Sequence, residues 1–202
     1  MTRSNRTGLL IAISAVVFSP TTLAHGEADW LHLAMDGVLV FFTTLGFLLP
    51  VFLVSLLAEH RASRFFSLQA ATLGMGLMVG LWVLPAPADL ATPGLYARVY
   101  LIALGFLILF NLRLPAALVL VLLIATGALT GLEARHAIIG SPASGLALPF
   151  GFVLSAICFY LPATFIASRY PDGWQRTAIR VVASWVAAIA SIDIAFMIAP
   201  PG

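Results

Sequence analysis

The chain has 202 residues, of which 61% are hydrophobic and only 9% carry a charge. An average soluble domain has about 25% charged residues, so this composition excludes a soluble fold. The ten basic residues are all arginine and the net charge is only +2, which implies no nucleic-acid site.

Residues 1–24 have the pattern of a signal peptide. Two arginines precede a short apolar run, Gly8–Phe18, and Pro20 interrupts the sequence after it. Small residues precede the bond after Ala24, where a signal peptidase would cut. We therefore expect the mature chain to begin at His25. The alternative is an uncleaved first helix, which would give seven spans.

Six apolar spans follow, near residues 33–58, 66–85, 95–111, 114–131, 146–168 and 178–199. Each approaches the roughly 20 apolar residues that cover about 30 Å of hydrocarbon. A segment within lipid must satisfy its own backbone hydrogen bonds, as a helix does. We predict an all-α, polytopic membrane protein in which residues 25–202 form one domain of six transmembrane helices in a lipid bilayer.

The arginines are distributed unequally between the two sides of this topology. One side carries six of them: Arg61, Arg64, Arg113, Arg169, Arg176 and Arg180. The opposite side carries only Arg98 and Arg135. By the positive-inside rule the first side is cytoplasmic, so both mature termini are expected to face outward, which agrees with a cleaved signal peptide.

Several small residues predict how the spans pack. Gly76 and Gly80 have the spacing that lets two helix backbones approach closely. Pro50 and Pro162 should kink or break their helices. Cys158, the only cysteine, is expected to be a small buried residue. Three alanines of the last span should also allow close packing: Ala183, Ala187 and Ala190.

Asp193 is the ionisable residue that most needs an explanation. It lies deep in the last span, where a carboxylate costs about 2.5–3.5 kcal/mol on insertion scales. It could coordinate a cation or carry a proton along a transport path. Alternatively it could form a structural hydrogen bond with a hydroxyl such as that of Ser184 or Tyr160. Gln69 and Asn111, near the ends of their spans, are expected to cap or bridge helices.

A second polar cluster opens the mature chain at His25. If the following residues are helical, Asp29, His32 and Asp36 lie on one face, at positions i, i+3 and i+7. Imidazole and carboxylate suit divalent nickel, cobalt, zinc or copper, and a free amine at His25 would add a nitrogen ligand. The alternative is an ordinary interfacial helix start, with Trp30 at the lipid headgroups.

The sequence contains no catalytic constellation. A zinc-protease helix, a phosphate-binding loop and a nucleophile elbow are all absent, as are the paired histidines of a haem-binding bundle. We therefore expect no enzymatic activity and no permanently bound cofactor.

Three segments carry a resemblance to a known family: Tyr96–Gly105, Leu112–Leu118 and Gly151–Ala156. Together with their order and spacing over residues 66–199, they resemble the HupE/UreJ family. These are small six-helix proteins of the bacterial inner membrane with a signal peptide, associated with hydrogenase and urease systems and regarded as nickel or cobalt permeases. The resemblance implies the same location, with periplasmic termini.

The chain departs from this family at the histidines. His25 and His32 keep the spacing of the outer histidine motif, although its Pro and Asp are replaced. The segment Thr130–Arg135 stands where the family has His-Gly-Tyr-Ala-His-Gly, and Tyr160 stands where its fifth helix has a histidine. Either metal handling has moved to the N-terminal cluster, or the scaffold has changed its cargo.

The expected function is permeation of a transition-metal ion, with Ni²⁺ or Co²⁺ favoured by the resemblance alone. One alternative is a membrane accessory or anchor subunit that does not transport and serves a hydrogenase, urease or other metalloenzyme system. Another is a transporter of a different solute.

Overall fold

The structure is a computed structural model that describes residues 30–58, 62–84, 91–112, 114–139, 146–169 and 174–198. Every regular element in these ranges is a helix, which confirms the prediction of an all-α fold. The predicted signal peptide, residues 1–24, lies outside the described residues.

Seven α-helices follow one another in the described residues: α1 (Trp30–Thr43), α2 (Leu45–Ala58), α3 (Ala62–Met78), α4 (Ala91–Leu109), α5 (Ala116–Ile139), α6 (Ala147–Ser168) and α7 (Trp174–Ile198). A π-helical segment, Val79–Val83, continues α3. The segment ends where the amide of Leu84 donates to the carbonyl of Val79 at 3.0 Å.

Four stretches within these helices are long and apolar enough to cross a bilayer: Phe66–Val83, Ala116–Arg135, Ala147–Ser168 and Trp174–Ile198. The bent pair of α1 and α2 would supply a fifth crossing. The apolar part of α4, Gly94–Leu109, is shorter and extends about 24 Å at 1.5 Å per residue. The chain is thus a multi-pass membrane protein by the length and composition of its helices, and the number of six spans stays a prediction.

The first predicted span, residues 33–58, is not one straight helix. It is interrupted at Thr44, and the axes of α1 and α2 differ by 73°. The carbonyl of Thr44 accepts hydrogen bonds from the amides of Phe47 at 3.0 Å and Leu48 at 3.3 Å, which begins α2. Neither Pro50 nor Pro162 breaks its helix, since each lies inside an α-helix, and a kink at either proline stays a prediction.

Small residues bring three helix pairs into close contact, and these are the most extensively packed pairs: α1 with α6, α3 with α5 and α4 with α7. Gly76 faces the backbone of α5, where a Cβ atom would lie 2.5 Å from the carbonyl oxygen of Ile124. Gly127 of α5 is equally close to the carbonyl of Leu73. The predicted packing role of Gly76 and Gly80 is therefore confirmed.

The last span packs through its alanines as predicted, but Cys158 is not buried as expected. A Cβ atom on Gly105 of α4 would lie 2.9 Å from the Cβ of Ala187, and Ala183 and Ala190 are buried in the same interface. Cys158, in contrast, is exposed on the surface of α6. The expectation of a buried cysteine was wrong, because this face of α6 points away from its neighbours.

Polar side chains form hydrogen bonds between helices of the bundle. The Tyr160 hydroxyl of α6 donates to Gln69 Oε1 of α3 at 3.1 Å, and both residues are buried. The side chain of Arg176 donates to Asn111 Oδ1, joining the start of α7 to the end of α4. The prediction that Gln69 and Asn111 cap or bridge helices is confirmed.

Candidate functional site

The N-terminal cluster is only partly described. His25 and Asp29 lie outside the described residues. His32 is exposed on α1, and Asp36, one turn later on the same face, is half-buried. No three His, Cys, Asp or Glu side chains within the described ranges form a group that could hold a metal ion. The four-residue metal site therefore stays a prediction.

Asp193 has an ionic partner rather than a hydroxyl partner. Arg98 Nε donates to Asp193 Oδ2 at 2.8 Å, and this pair joins α4 to α7. The two hydroxyls proposed as partners are engaged elsewhere: Ser184 donates to the carbonyl of Val181 at 2.8 Å, and Tyr160 donates to a different helix. The expected hydroxyl partner of Asp193 was therefore wrong: its carboxylate is bound by the guanidinium of Arg98.

Arg98 also binds a second carboxylate. Its Nη1 donates to Glu133 Oε1 of α5, and it lies 3.3 Å from the carbonyl oxygen of Gly94. The side chains of Arg98 and Glu133 are 20% and 17% exposed, whereas that of Asp193 is 46% exposed. Arg98, Glu133 and Asp193 form a cluster, here named the ion cluster, that connects three helices and opens to the surface at Asp193.

The three helices present these residues at a common level. Arg98 lies seven residues after the start of α4, Glu133 lies six before the end of α5, and Asp193 lies five before the end of α7. At 1.5 Å per residue, each is roughly 8–10 Å from its helix end. By the predicted orientation these are the outer ends. The ion cluster thus lies about two helical turns below one end of the bundle.

The break between α1 and α2 lies beside Glu133. A Cβ atom on Gly46 would be 3.6 Å from Glu133 Oε1 and 3.9 Å from Oε2, so the carboxylate packs against the first turn of α2. The amides of Phe47 and Leu48 in this turn bond to the carbonyl of Thr44, and the turn carries the positive end of the helix dipole. The dipole stabilises negative charge at this point, as broken helices do at the binding sites of membrane transporters.

The ion cluster has an excess of negative charge and an unused ligand atom. Two carboxylates and one guanidinium leave a net charge of −1 when all are ionised. Glu133 Oε2 is buried and has no hydrogen-bond partner among the described residues. Such an atom costs about 1–3 kcal/mol unless a proton, a water or a cation satisfies it. The cluster therefore has a buried oxygen that is available to a proton, a water or a small cation.

Two positions at which the HupE/UreJ family has histidines, Thr130 and Tyr160 here, are buried in this chain. Thr130 is 1% exposed, and its hydroxyl has no hydrogen-bond partner in the described part of the chain. Tyr160 is fully buried and bonded to Gln69. Neither supplies a nitrogen ligand, but Thr130 lies one turn before Glu133 on α5.

Sequence reasoning found one of the three residues of the ion cluster. Asp193 was recognised from its depth in the last span. Glu133 was missed because the fourth span was expected to end at residue 131, whereas α5 continues to Ile139. Arg98 was counted only as a topological charge. Two charged residues inside otherwise apolar helices were the available signal.

Comparison of this chain with protein-family models, with characterised proteins and with solved structures finds no match.

Proposed function

We propose that this chain is an inner-membrane permease for a small cation, specifically a transition-metal ion. Ni²⁺ or Co²⁺ is favoured by its resemblance to the HupE/UreJ family. In this proposal both termini of the mature chain are periplasmic, and the ion enters from that side.

The observation that carries the proposal is the ion cluster at a broken helix. Ionisable residues within apolar helices are costly and generally mark substrate or proton pathways. Here two carboxylates from different helices bind the same guanidinium, and one of them, Glu133, packs against Gly46 in the first turn after the α1–α2 interruption. An apolar bundle that served only as an anchor would be more stable without this excess charge.

Arg98 would act as the resident counter-ion of the site. With Arg98 in place the cluster has a charge of −1. If the guanidinium turned toward the outer surface, Glu133 and Asp193 would present −2 to an incoming ion, which matches a divalent cation. Arg98 can make this movement because a long side chain roughly 10 Å from the helix end can extend to the interface.

The N-terminal cluster would capture the ion before it reaches the ion cluster. His32 is exposed and Asp36 lies on the same face of α1. The mature N-terminus at His25 and the carboxylate of Asp29 would complete a site of borderline-soft and hard ligands that suits Ni²⁺ or Co²⁺.

Cellular uptake of Ni²⁺ and Co²⁺ tests this function. Glu133→Gln and Asp193→Asn keep the size and hydrogen bonding of each side chain but remove its charge. We expect each to reduce uptake at least about tenfold, corresponding to about 1.4 kcal/mol in the interaction with the ion. The double variant His25→Ala with His32→Ala should reduce uptake at low metal concentration. Asp172→Asn, in a predicted cytoplasmic loop, is the matched control.

Membrane abundance must be measured for each variant, so that failed assembly is separated from failed transport. If all of these variants take up both metals like the parent, or if the parent moves neither, the permease proposal is wrong. The accessory or anchor subunit would then be the better interpretation.

A further inference from the structure

A small pocket with polar side chains lies at the end of the bundle opposite the ion cluster. It has a volume of about 30 Å³ and is open on one side. Its polar lining comes from Asn111, Arg176 and Arg180, and its walls are apolar side chains of α2 and α4, including Leu57 and Leu107. The pocket combines two guanidinium groups with hydrocarbon walls, on the side predicted to be cytoplasmic.

Arg180 has a guanidinium without an ionic partner among the described residues. It is half-buried, and its Nε atom is buried without a hydrogen-bond partner. No carboxylate among the described residues forms an ion pair with Arg180. A buried donor without an acceptor is costly, more so when it is charged, and an acceptor that carries negative charge would satisfy this one best.

Asn111 fixes the geometry of the pocket. It has a φ of 53° and ends α4 in a left-handed conformation, with its amide donating to the carbonyl of Ile108 at 3.0 Å. Its Oδ1 accepts from Arg176, which holds that side chain across the pocket. Arg180 follows Arg176 by one turn on the same face of α7. The two arginines therefore project toward the same space.

We propose that this pocket binds the phosphate group of an acidic phospholipid. Guanidinium groups bind phosphate oxygens through paired, charge-assisted hydrogen bonds. Basic pockets between transmembrane helices on the cytoplasmic side are typical binding sites for acidic headgroups.

The position of the pocket favours a lipid over a soluble phosphate compound. Arg176 and Arg180 lie two and six residues after the start of α7, or roughly 3 and 9 Å along its axis, which is the level of the headgroups. The apolar walls would contact the glycerol and upper acyl region of a lipid. A free phosphate ion would leave those walls unused.

The test is lipid binding by the purified full chain in detergent. Binding of phosphatidylglycerol and phosphatidylcholine is compared by native mass spectrometry, and the melting temperature is measured with each lipid and with inorganic phosphate. We expect phosphatidylglycerol to bind more tightly and to raise the melting temperature. Arg180→Gln should weaken its binding about fivefold, since one arginine near anionic lipid contributes about 1 kcal/mol. Arg180→Lys should keep much of the affinity.

Arg169→Gln is the matched control, because Arg169 is on the same predicted side but is exposed and stacked on Phe165 at 4.7 Å, outside the pocket. It should change the affinity less than about twofold. Equal effects of Arg169→Gln and Arg180→Gln would overturn the pocket in favour of a diffuse basic surface. Equal stabilisation by inorganic phosphate would overturn the lipid assignment. If Arg180→Gln does not fold, equal binding of the two lipids by the parent chain would still refute the proposal.

Discussion

Arg98 is the single residue whose charge holds the ion cluster together. It is the hydrogen-bond donor to both Glu133 and Asp193, so its loss leaves two carboxylates without a cation. Breaking a buried ion pair by removing one partner is much more costly than replacing all of its members by neutral groups. The stability of the chain should therefore depend on the balance of charge in the cluster more than on any one of its contacts.

Arg98→Gln is expected to lower the free energy of unfolding by about 2–3 kcal/mol, less than the roughly 3–5 kcal/mol of a fully buried pair, because Asp193 is 46% exposed. Thermal melting in detergent measures the effect. The triple variant with Glu133→Gln and Asp193→Asn added should recover most of the loss. Arg169→Gln, at an exposed position, should cost less than about 1 kcal/mol. Equal melting of Arg98→Gln and the parent would contradict the structural importance of the cluster.

The identity of Asp193 as a costly group was predictable from its depth in an apolar span, but its partner was not. Arg98 lies 95 residues away in the sequence, and hydropathy gives no information about which faces of two helices meet. The pairing follows from the close approach of α4 and α7 at Gly105, which only the packed structure specifies.

At the scale of helices, backbone contact at glycine organises the bundle. α3 and α5 touch through reciprocal glycines, so that Gly76 lies against Gly127. Side chains cannot intervene there, which gives these helices a small separation and extensive van der Waals contact.

Gly76→Ala and Gly74→Ala form a matched pair that tests this contact. A Cβ on Gly76 would lie 2.5 Å from the carbonyl oxygen of Ile124 and 3.1 Å from Gly127 Cα, both backbone atoms. A Cβ on Gly74 would meet only the mobile end of the Ile157 side chain, at 3.2 Å. We expect Gly76→Ala to destabilise the chain by about 1–3 kcal/mol and Gly74→Ala by distinctly less. The reverse order in a melting experiment would show that α3 and α5 pack differently.

The interruption of the first span could not be derived from hydropathy. Residues 33–58 are apolar apart from Asp36 and three hydroxyl residues, and this length alone fits one continuous helix. Pro50 pointed to a disturbance but not to its place. Without an amide hydrogen, Pro50 leaves the carbonyl of Gly46 without its usual donor, but this lost bond lies inside α2. The interruption is at Thr44, before α2 begins.

At the scale of the whole molecule, the asymmetry of six arginines against two predicts which side faces the cytoplasm. In the predicted orientation the ion cluster is near the outer surface and the Arg180 pocket is near the inner one. The side from which the metal ion is proposed to enter and the side on which the lipid is proposed to bind both depend on this orientation.

Cysteine labelling of intact cells tests the orientation. Cys158 is exposed, so it is first replaced by alanine. An impermeant thiol reagent should then react with a cysteine at Ser141 and should not react with cysteines at Ser63 or Asp172 until the membrane is permeabilised. The opposite pattern would invert the topology and place the ion cluster on the cytoplasmic side.

The architecture was largely predictable because it follows from composition and apolar length. The all-α class, the presence of several membrane-type helices and the tight glycine contacts are confirmed. Helix ends were less predictable, since lipid-facing and buried apolar residues look alike in sequence: α4 begins at Ala91 and α5 extends to Ile139. That extension is what brings Glu133 into the bundle and creates the candidate site.

The most direct test of the permease proposal is metal flux through the purified protein. The full chain is reconstituted in liposomes that contain a metal-sensitive dye, and entry of Ni²⁺ and Co²⁺ is followed with protein-free vesicles as the reference. We expect the parent chain to admit at least one of these ions faster than empty vesicles, and Glu133→Gln to reduce this rate at least about tenfold. Entry no faster than in protein-free vesicles, or an equal rate in the parent and the Glu133→Gln variant, would contradict a cation pathway through the ion cluster.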